Sequence, residues 1–216
     1  MKSLNLKLFF AILTLAMATL ACATPDVSAL LNPMPKDNFS DSNSGWGTGT
    51  DADSSVEYNN DGLEIKVFTP YYVTWSTPSL EVYENTHMEV HVQNNSTDPE
   101  AFFGLICNEQ GSTNAYYYVG VSPDGYYAFN KSKVVGDDEV LKDGTSDVIS
   151  ANSTSMKLGL DCKNGSMALY VNDQLIDSVS DSTYPSGTFG LFGATDDEQN
   201  GTTVLFDDFV TSKITE

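Results

Sequence analysis

The sequence predicts an all-β protein folded as a two-sheet antiparallel sandwich, and three observations carry that expectation. From Ser54 onward the chain reads as short β-branched and aromatic runs, hairpin signals punctuate those runs, and no stretch keeps a helical period over three turns. The turn signals are Asn60-Asp61-Gly62, Pro123-Asp124-Gly125, Asn164-Gly165, Asn172-Asp173 and Asn200-Gly201, residues that accept the positive φ of tight hairpins. Between them strands are expected at 63–68, 71–76, 86–93, 101–108, 115–121, 126–131, 156–162, 167–171, 174–179, 187–192 and 203–211. Short strands at this spacing are the pattern of a two-sheet sandwich.

Residues 1–21 set the compartment. Lys2 and Lys7 form a cationic start, and Leu8 to Leu20 is an apolar or small run of signal-peptide length, too short to span a bilayer. The leader is expected to be removed and the protein exported. Two cleavages fit the same residues. Thr19-Leu20-Ala21-Cys22 resembles a permissive bacterial lipobox, which would leave Cys22 lipidated at the membrane, while Ala21-Cys22-Ala23 satisfies the small-x-small rule of ordinary signal peptidase. The first is favoured by a cysteine placed at the end of the apolar core. It is favoured also by residues 22–36, which hold Pro25, Pro33 and Pro35 and suit a tether to a membrane. A single domain over 37–213 follows.

All ten cationic side chains are lysines, and without Lys2 and Lys7 eight remain against 30 Asp plus Glu, a net charge of −22. This balance argues against nucleic acid and anionic lipid surfaces as partners, since each needs a cationic patch to replace counterions, and leaves cations, neutral glycans and basic proteins. With Cys22 at the processing site, Cys107 and Cys162 are left as an even pair in an oxidising compartment. Phe103, Leu105 and Cys107 share one strand face, and Leu158, Leu160 and Cys162 share another, so both thiols point to the core. A disulfide is the expected assignment, with two buried free thiols the alternative.

The order of particular residues adds to this. Asp37-Asn38-Phe39-Ser40-Asp41, Ser44-Gly45-Trp46 and Tyr58-Asn59-Asn60-Asp61-Gly62-Leu63-Glu64-Ile65 open the domain. Gly104-Leu105-Ile106-Cys107, Asp124-Gly125-Tyr126-Tyr127-Ala128, Leu169-Tyr170-Val171-Asn172-Asp173-Gln174-Leu175, Gly187-Thr188-Phe189-Gly190-Leu191 and Phe206-Asp207-Asp208-Phe209-Val210 follow in order. Together they resemble the concanavalin A-like lectin/glucanase (LamG-like) domains of bacterial surface lipoproteins. The resemblance implies a jelly-roll sandwich, with one sheet that holds a saccharide in many members. It also implies a structural calcium where the first and last strands meet, with Asp37 and Asp207 at the matching positions. Such motifs specify a fold more than an activity.

The chemistry is sparse. The glucanase branch of that superfamily carries Glu-x-Asp-x-Glu on one strand, and no such run exists here. Asp98-Pro99-Glu100, Asp137-Asp138-Glu139 and Asp196-Asp197-Glu198 read as solvated loops. Neither a Gly-x-Ser-x-Gly elbow nor a Cys-x-x-Cys is present, and His87 and His91 are the only histidines. His87, Glu89 and His91 share a strand face, read as the wet side of a half-buried strand rather than a zinc site. Asp51-Ala52-Asp53-Ser54-Ser55 begins like a calcium loop but lacks the central Gly and distal Glu. The sequons at Asn38, Asn94, Asn95, Asn130, Asn152, Asn164 and Asn200 read as part of an Asn- and Ser-rich surface.

Aromatic rings offer a stacking surface for the C–H face of a sugar. If Cys107 faces the core, Phe102 and Ile106 face away, and Tyr116 and Tyr118 lie opposite Tyr117 and Val119. Trp75, Tyr116 and Tyr118 are therefore the candidate ligand-binding residues, with Tyr72 and Tyr126 as neighbours and Trp46 assigned to packing. The expected function is a non-catalytic glycan-binding or adhesion module at the cell surface, with a neutral polysaccharide as partner. A glycoside hydrolase of unrecognised type and a structural protein-binding domain are the alternatives.

Overall fold

Period-two burial marks several strands of the larger sheet and fixes which face each of them turns inward. In the computed structural model, which describes residues 34–78, 81–111, 115–197 and 200–215, β6 (Thr86–Asn94) buries Thr86, Met88, Val90 and Val92 and turns His87, Glu89 and His91 outward. The leader, Cys22 and the tether through residue 33 lie outside the described residues.

The larger sheet runs in the order β13 (Gln174–Ser180), β12 (Ser166–Val171), β11 (Ser155–Lys163), β6, β15 (Thr202–Lys213), β4 (Gly62–Val67), β3 (Ser54–Asn59), β2 (Gly49–Thr50), with β1 (Lys36–Asp37) also on β15. The smaller sheet is β10 (Glu139–Thr145), β9 (Tyr126–Lys131), β8 (Tyr117–Val121), β7 (Phe102–Glu109), β14 (Thr188–Ala194), β5 (Val73–Ser76). All pairings are antiparallel. This is the expected all-β, two-sheet antiparallel jelly-roll sandwich. Met88, Val90, Leu158, Leu160 and Phe206 of the larger sheet meet Phe103, Leu105, Val119, Phe129 and Leu191 of the smaller in one buried core. Cys107 of β7 and Cys162 of β11 are bonded across it, with Cα atoms 6.6 Å apart.

The hairpin signals hold where they were read. Asn60 and Asp61 (φ 51° and 57°), Asn164 and Gly165 (50° and 72°) and Asn172 and Asp173 (50° and 66°) all take left-handed backbone. Asp51, where the calcium-loop pattern is incomplete, uses its Oδ1 to accept the N–H groups of Asp53 and Ser54, a local turn that starts β3. Three short or exposed elements differ from the expectation. Glu139 is not in a solvated turn but begins β10, where its carboxylate meets Lys131 and Lys133. The helix α1 (Asp147–Ala151) is a single turn capped by Ser146, whose side chain accepts the Val148 N–H. Finally, a register shift between Asp207 and Val210 adds one residue to β15, with Asp208 at φ 50°.

Candidate functional site

The outer face of the smaller sheet carries a second apolar cluster, separate from the core between the sheets. Alternation on β7 sends Phe103, Leu105 and Cys107 inward and leaves Phe102, Gly104 and Ile106 outward. Register aligns these with their neighbours: Gly104 lies beside Phe192 of β14 and Gly120 of β8, and Phe192 beside Trp75 of β5. A Cβ on Gly120 would lie 2.7 Å from the Phe192 ring and 2.8 Å from the Phe102 ring. The glycine therefore creates the depression into which the two rings fold. Ile106, Tyr116 and Phe192 are buried here, with Val73, Trp75, Phe102, Tyr118 and Ala194 packed around them.

A cleft of about 570 Å³ opens beside this cluster, toward one end of the sheet. Its floor is Val73, Phe102, Tyr118, Ala128, Asn130 and Ala194, and Tyr126 at the start of β9 forms a side. The rim comes from the segments before β5, β7 and β9 and after β8 and β14, which supply Tyr71, Tyr72, Glu100, Ser122, Asp124, Thr195 and Asp196. The central strands β7, β8 and β14 present no carboxylate to the floor, and the three carboxylates that line the cleft all belong to the rim.

Tyr71 is the most unusual rim residue. It is 75% exposed and holds left-handed backbone at φ 57°, a conformation that costs a bulky L-residue roughly 1–2 kcal/mol. Its N–H donates to the Asp196 carbonyl at 2.6 Å. Thr195 pins the same turn: its hydroxyl donates to the Thr69 carbonyl at 2.6 Å, and its N–H to the Tyr72 carbonyl at 2.9 Å. The turn is thus held from both sides while the ring stands in solvent.

Electrostatics reinforce the pattern. Tyr118 donates to Asp138 Oδ2 at 2.9 Å, and burial, then that carboxylate, push its phenol well above the usual range. Burial also raises the Tyr126 phenol, followed by the negative charges of Asp143, Asp124 and Asp196.

The three aromatics expected to bind are brought together in the fold, Trp75 and Tyr116 at 5.4 Å between ring centroids and Tyr116 and Tyr118 at 5.8 Å. They divide by environment. Tyr118 lines the cleft, whereas Tyr116 is 3% exposed and Trp75 packs on it outside the cleft, so Tyr116 offers no free ring face. Tyr72 and Tyr126 do line it. Sequence reasoning missed Tyr71, although an aromatic pair directly after Pro70 at a strand entry was a readable signal, and it treated Glu100 and Asp196 as plain solvated loops.

Asp37 and Asp207 lie on opposite faces of the larger sheet. Asp37 pairs with Phe209 across β1 and β15, so it shares the inward face of that core residue, and its Oδ2 accepts the Trp46 indole N–H at 2.8 Å while Oδ1 accepts the Phe39 N–H. Asp207 follows inward Phe206 and lies opposite exposed His91, on the outer face. The extra residue at Asp208 is what returns Phe209 to the core. On that outer face His87 is held by Asp161 at Nδ1 (2.6 Å) and by Glu89 at Nε2 (3.3 Å), which spends both ring nitrogens. Among the described residues no three His, Cys, Asp or Glu side chains form a metal-binding group.

No family model and no curated protein matches the chain. Solved structures do. The carbohydrate binding module CBM66 from Bacillus subtilis is 16% identical over 78% of this chain and 96% of that one, with a TM-score of 0.61. The β-glucanase of Bacillus licheniformis is 14% identical over 85% and 99%, TM-score 0.59. A Bacillus subtilis protein of unknown function with a galectin-like fold is 9% identical over 83% and 94%, TM-score 0.62. At these identities the likeness shows the shared sandwich fold.

Proposed function

We propose that this protein is a non-catalytic glycan-binding module, displayed at the cell surface as a lipoprotein through Cys22, and that the cleft on the outer face of the smaller sheet is its binding site. It is read as a LamG-like domain. The observation that carries the proposal is the cleft's construction: Phe102, Tyr118 and Tyr126 beside Ala128 and Ala194 make an apolar surface for a sugar's C–H face, and Asn130 supplies both a donor and an acceptor for hydroxyls. The fold's occurrence in a carbohydrate binding module and a β-glucanase supports the same direction. Binding is favoured over hydrolysis because the three carboxylates that line the cleft, Glu100, Asp124 and Asp196, stand on separate rim segments, and no strand carries the Glu-x-Asp-x-Glu run that sets an acid and a nucleophile on one face.

Anionic glycans are disfavoured by Glu100, Asp124 and Asp196 at the rim, so neutral polysaccharides are the first ligands to test. The test is affinity electrophoresis of the mature domain through gels containing neutral polysaccharides, comparing wild type with Tyr118→Ala. Retardation of the wild type that the variant loses supports the site; equal migration in every gel overturns it. Release of reducing sugar by the wild type overturns the non-catalytic reading. Anchoring is tested separately, by detergent partition of the native protein and its loss in Cys22→Ser.

A further inference from the structure

A neutral sugar satisfies the cleft's aromatic surfaces and can donate hydroxyls to its carboxylates, but it leaves their charge uncompensated. Among the described residues Glu100, Asp124 and Asp196 line the cleft and no lysine does, and the sequence contains no arginine. Elsewhere the acidic side chains with cation partners are matched locally: Asp181 with Lys131, Asp177 with Lys142, Glu139 with Lys133, Asp173 with Lys157, and Glu64 with Lys66. Among the described residues Asp124 accepts the Tyr126 N–H at 2.9 Å and meets no lysine, so its charge is left uncompensated.

Around these carboxylates stand the rings of Tyr71, Tyr72, Phe102, Tyr118 and Tyr126. An aromatic face carries partial negative charge and attracts a cation, with an energy that rises as the site is desolvated. A recess with low-dielectric walls also focuses the field of carboxylates at its mouth.

We propose that the saccharide held in this cleft carries a primary ammonium group, as in an oligomer of 2-amino-2-deoxy sugars, with the charge turned toward Glu100, Asp124 and Asp196 and the ring set against Tyr71 and the aromatic floor. The inference rests on the cleft being a glycan site, and narrows the class of glycan. Asn130 remains for hydroxyls on the uncharged part of the same ligand. The exposed Tyr71, held by Thr195 and Asp196, brings its ring to the same rim as the Asp196 carboxylate.

The experiment titrates the mature protein calorimetrically with a glucosamine oligomer and with its fully N-acetylated counterpart, each at low and high salt. The amine is expected to bind about tenfold more tightly, with the difference shrinking as salt rises. Glu100→Gln with Asp196→Asn should bring the two ligands to within about twofold, while Asp61→Asn with Asp208→Asn, which remove the same charge outside the cleft, should keep the preference. Equal affinities in the wild type overturn the ammonium inference and leave glycan binding standing. A preference that survives in the Glu100 and Asp196 variant overturns its placement in this cleft. Binding of neither oligomer also overturns it, and if neutral polysaccharides fail as well the glycan reading falls with it. Cleft-dependent binding of a lysine-rich peptide without binding of the amino sugar would reassign the site to a basic protein.

Discussion

Cys107 on β7 and Cys162 on β11 form a covalent bridge between the two sheets, near the C-terminal ends of both strands. They are 55 residues apart in sequence, so the bond closes a long loop that the unfolded chain would otherwise explore. On the chain-entropy model that constraint is worth about 4 kcal/mol. Reduction under native conditions, or Cys107→Ser with Cys162→Ser, should lower the melting temperature by about 10 °C while the β-rich circular dichroism spectrum is kept. An unchanged melting temperature would show that packing alone holds the sheets.

Asp181 makes a second tie between the sheets, and it titrates. Lying just past β13, it accepts from Tyr117 of β8, from the Thr183 N–H at 2.9 Å and from Lys131 of β9 at 2.9 Å. Burial alone would raise its pKa, but the hydrogen bonds from Thr183, Tyr117 and Lys131 outweigh it and hold the carboxyl well below the usual range. A depressed folded pKa contributes stability that is fully present above the unfolded value of about 3.9 and lost as pH falls through the folded one. Asp181→Asn should therefore cost about 2 kcal/mol at neutral pH and flatten the fall in melting temperature below roughly pH 4. An acid limb as steep in the variant as in the wild type would reject this role.

Asp37 holds the first strand through Trp46. The indole is 5% exposed, lies edge-on to Phe209 at 5.1 Å, and donates its only N–H to Asp37. Asp37→Ala leaves that donor buried without a partner, a loss of about 1–3 kcal/mol. The loss should be the same with added calcium and with chelator, because what is removed is a hydrogen bond. A loss seen only in calcium would return Asp37 to a metal-binding role.

Legibility in the sequence followed the range of the interactions involved. Turn chemistry and alternation act over a few residues, and they were enough to place β9 at its true bounds, to put Cys107 and Cys162 on facing sides of the core, and to turn Phe102, Ile106 and Tyr118 outward. β10 escaped because it is an exposed edge strand, with Glu139, Val140, Lys142, Asp143 and Thr145 all facing solvent, so no apolar period marks it. The opposed faces of Asp37 and Asp207 depend on one added residue in β15, which alternation alone cannot reveal. The cleft was legible only in part. Tyr118 and Tyr126 follow from strand pattern, but the rim assembles from segments as far apart as Tyr71, Glu100 and Asp196, and only the sheet order brings those together. Nor does local pattern distinguish Tyr116, sealed under its neighbours, from Tyr71, left in solvent.

Tyr71 and Tyr116 should respond in opposite ways to truncation, which separates binding from packing. Tyr116 is buried between Trp75 and Tyr118, so Tyr116→Ala opens a cavity and should cost about 3–5 kcal/mol of stability. Tyr71 contributes little burial and stands at φ 57°, where glycine carries no Cβ penalty. In Tyr71→Gly the relief of roughly 1–2 kcal/mol is partly offset by the greater freedom of the unfolded chain, leaving stability unchanged or higher by up to about 1 kcal/mol. Ligand retention should nevertheless fall at least about fivefold in that variant, because a ring–sugar stack of about 1 kcal/mol or more is removed. Denaturant melts beside affinity electrophoresis measure both quantities on the same samples. A Tyr71→Gly protein that is destabilised by more than 1 kcal/mol, or that binds as the wild type does, would show that the strained turn serves the fold and not the ligand.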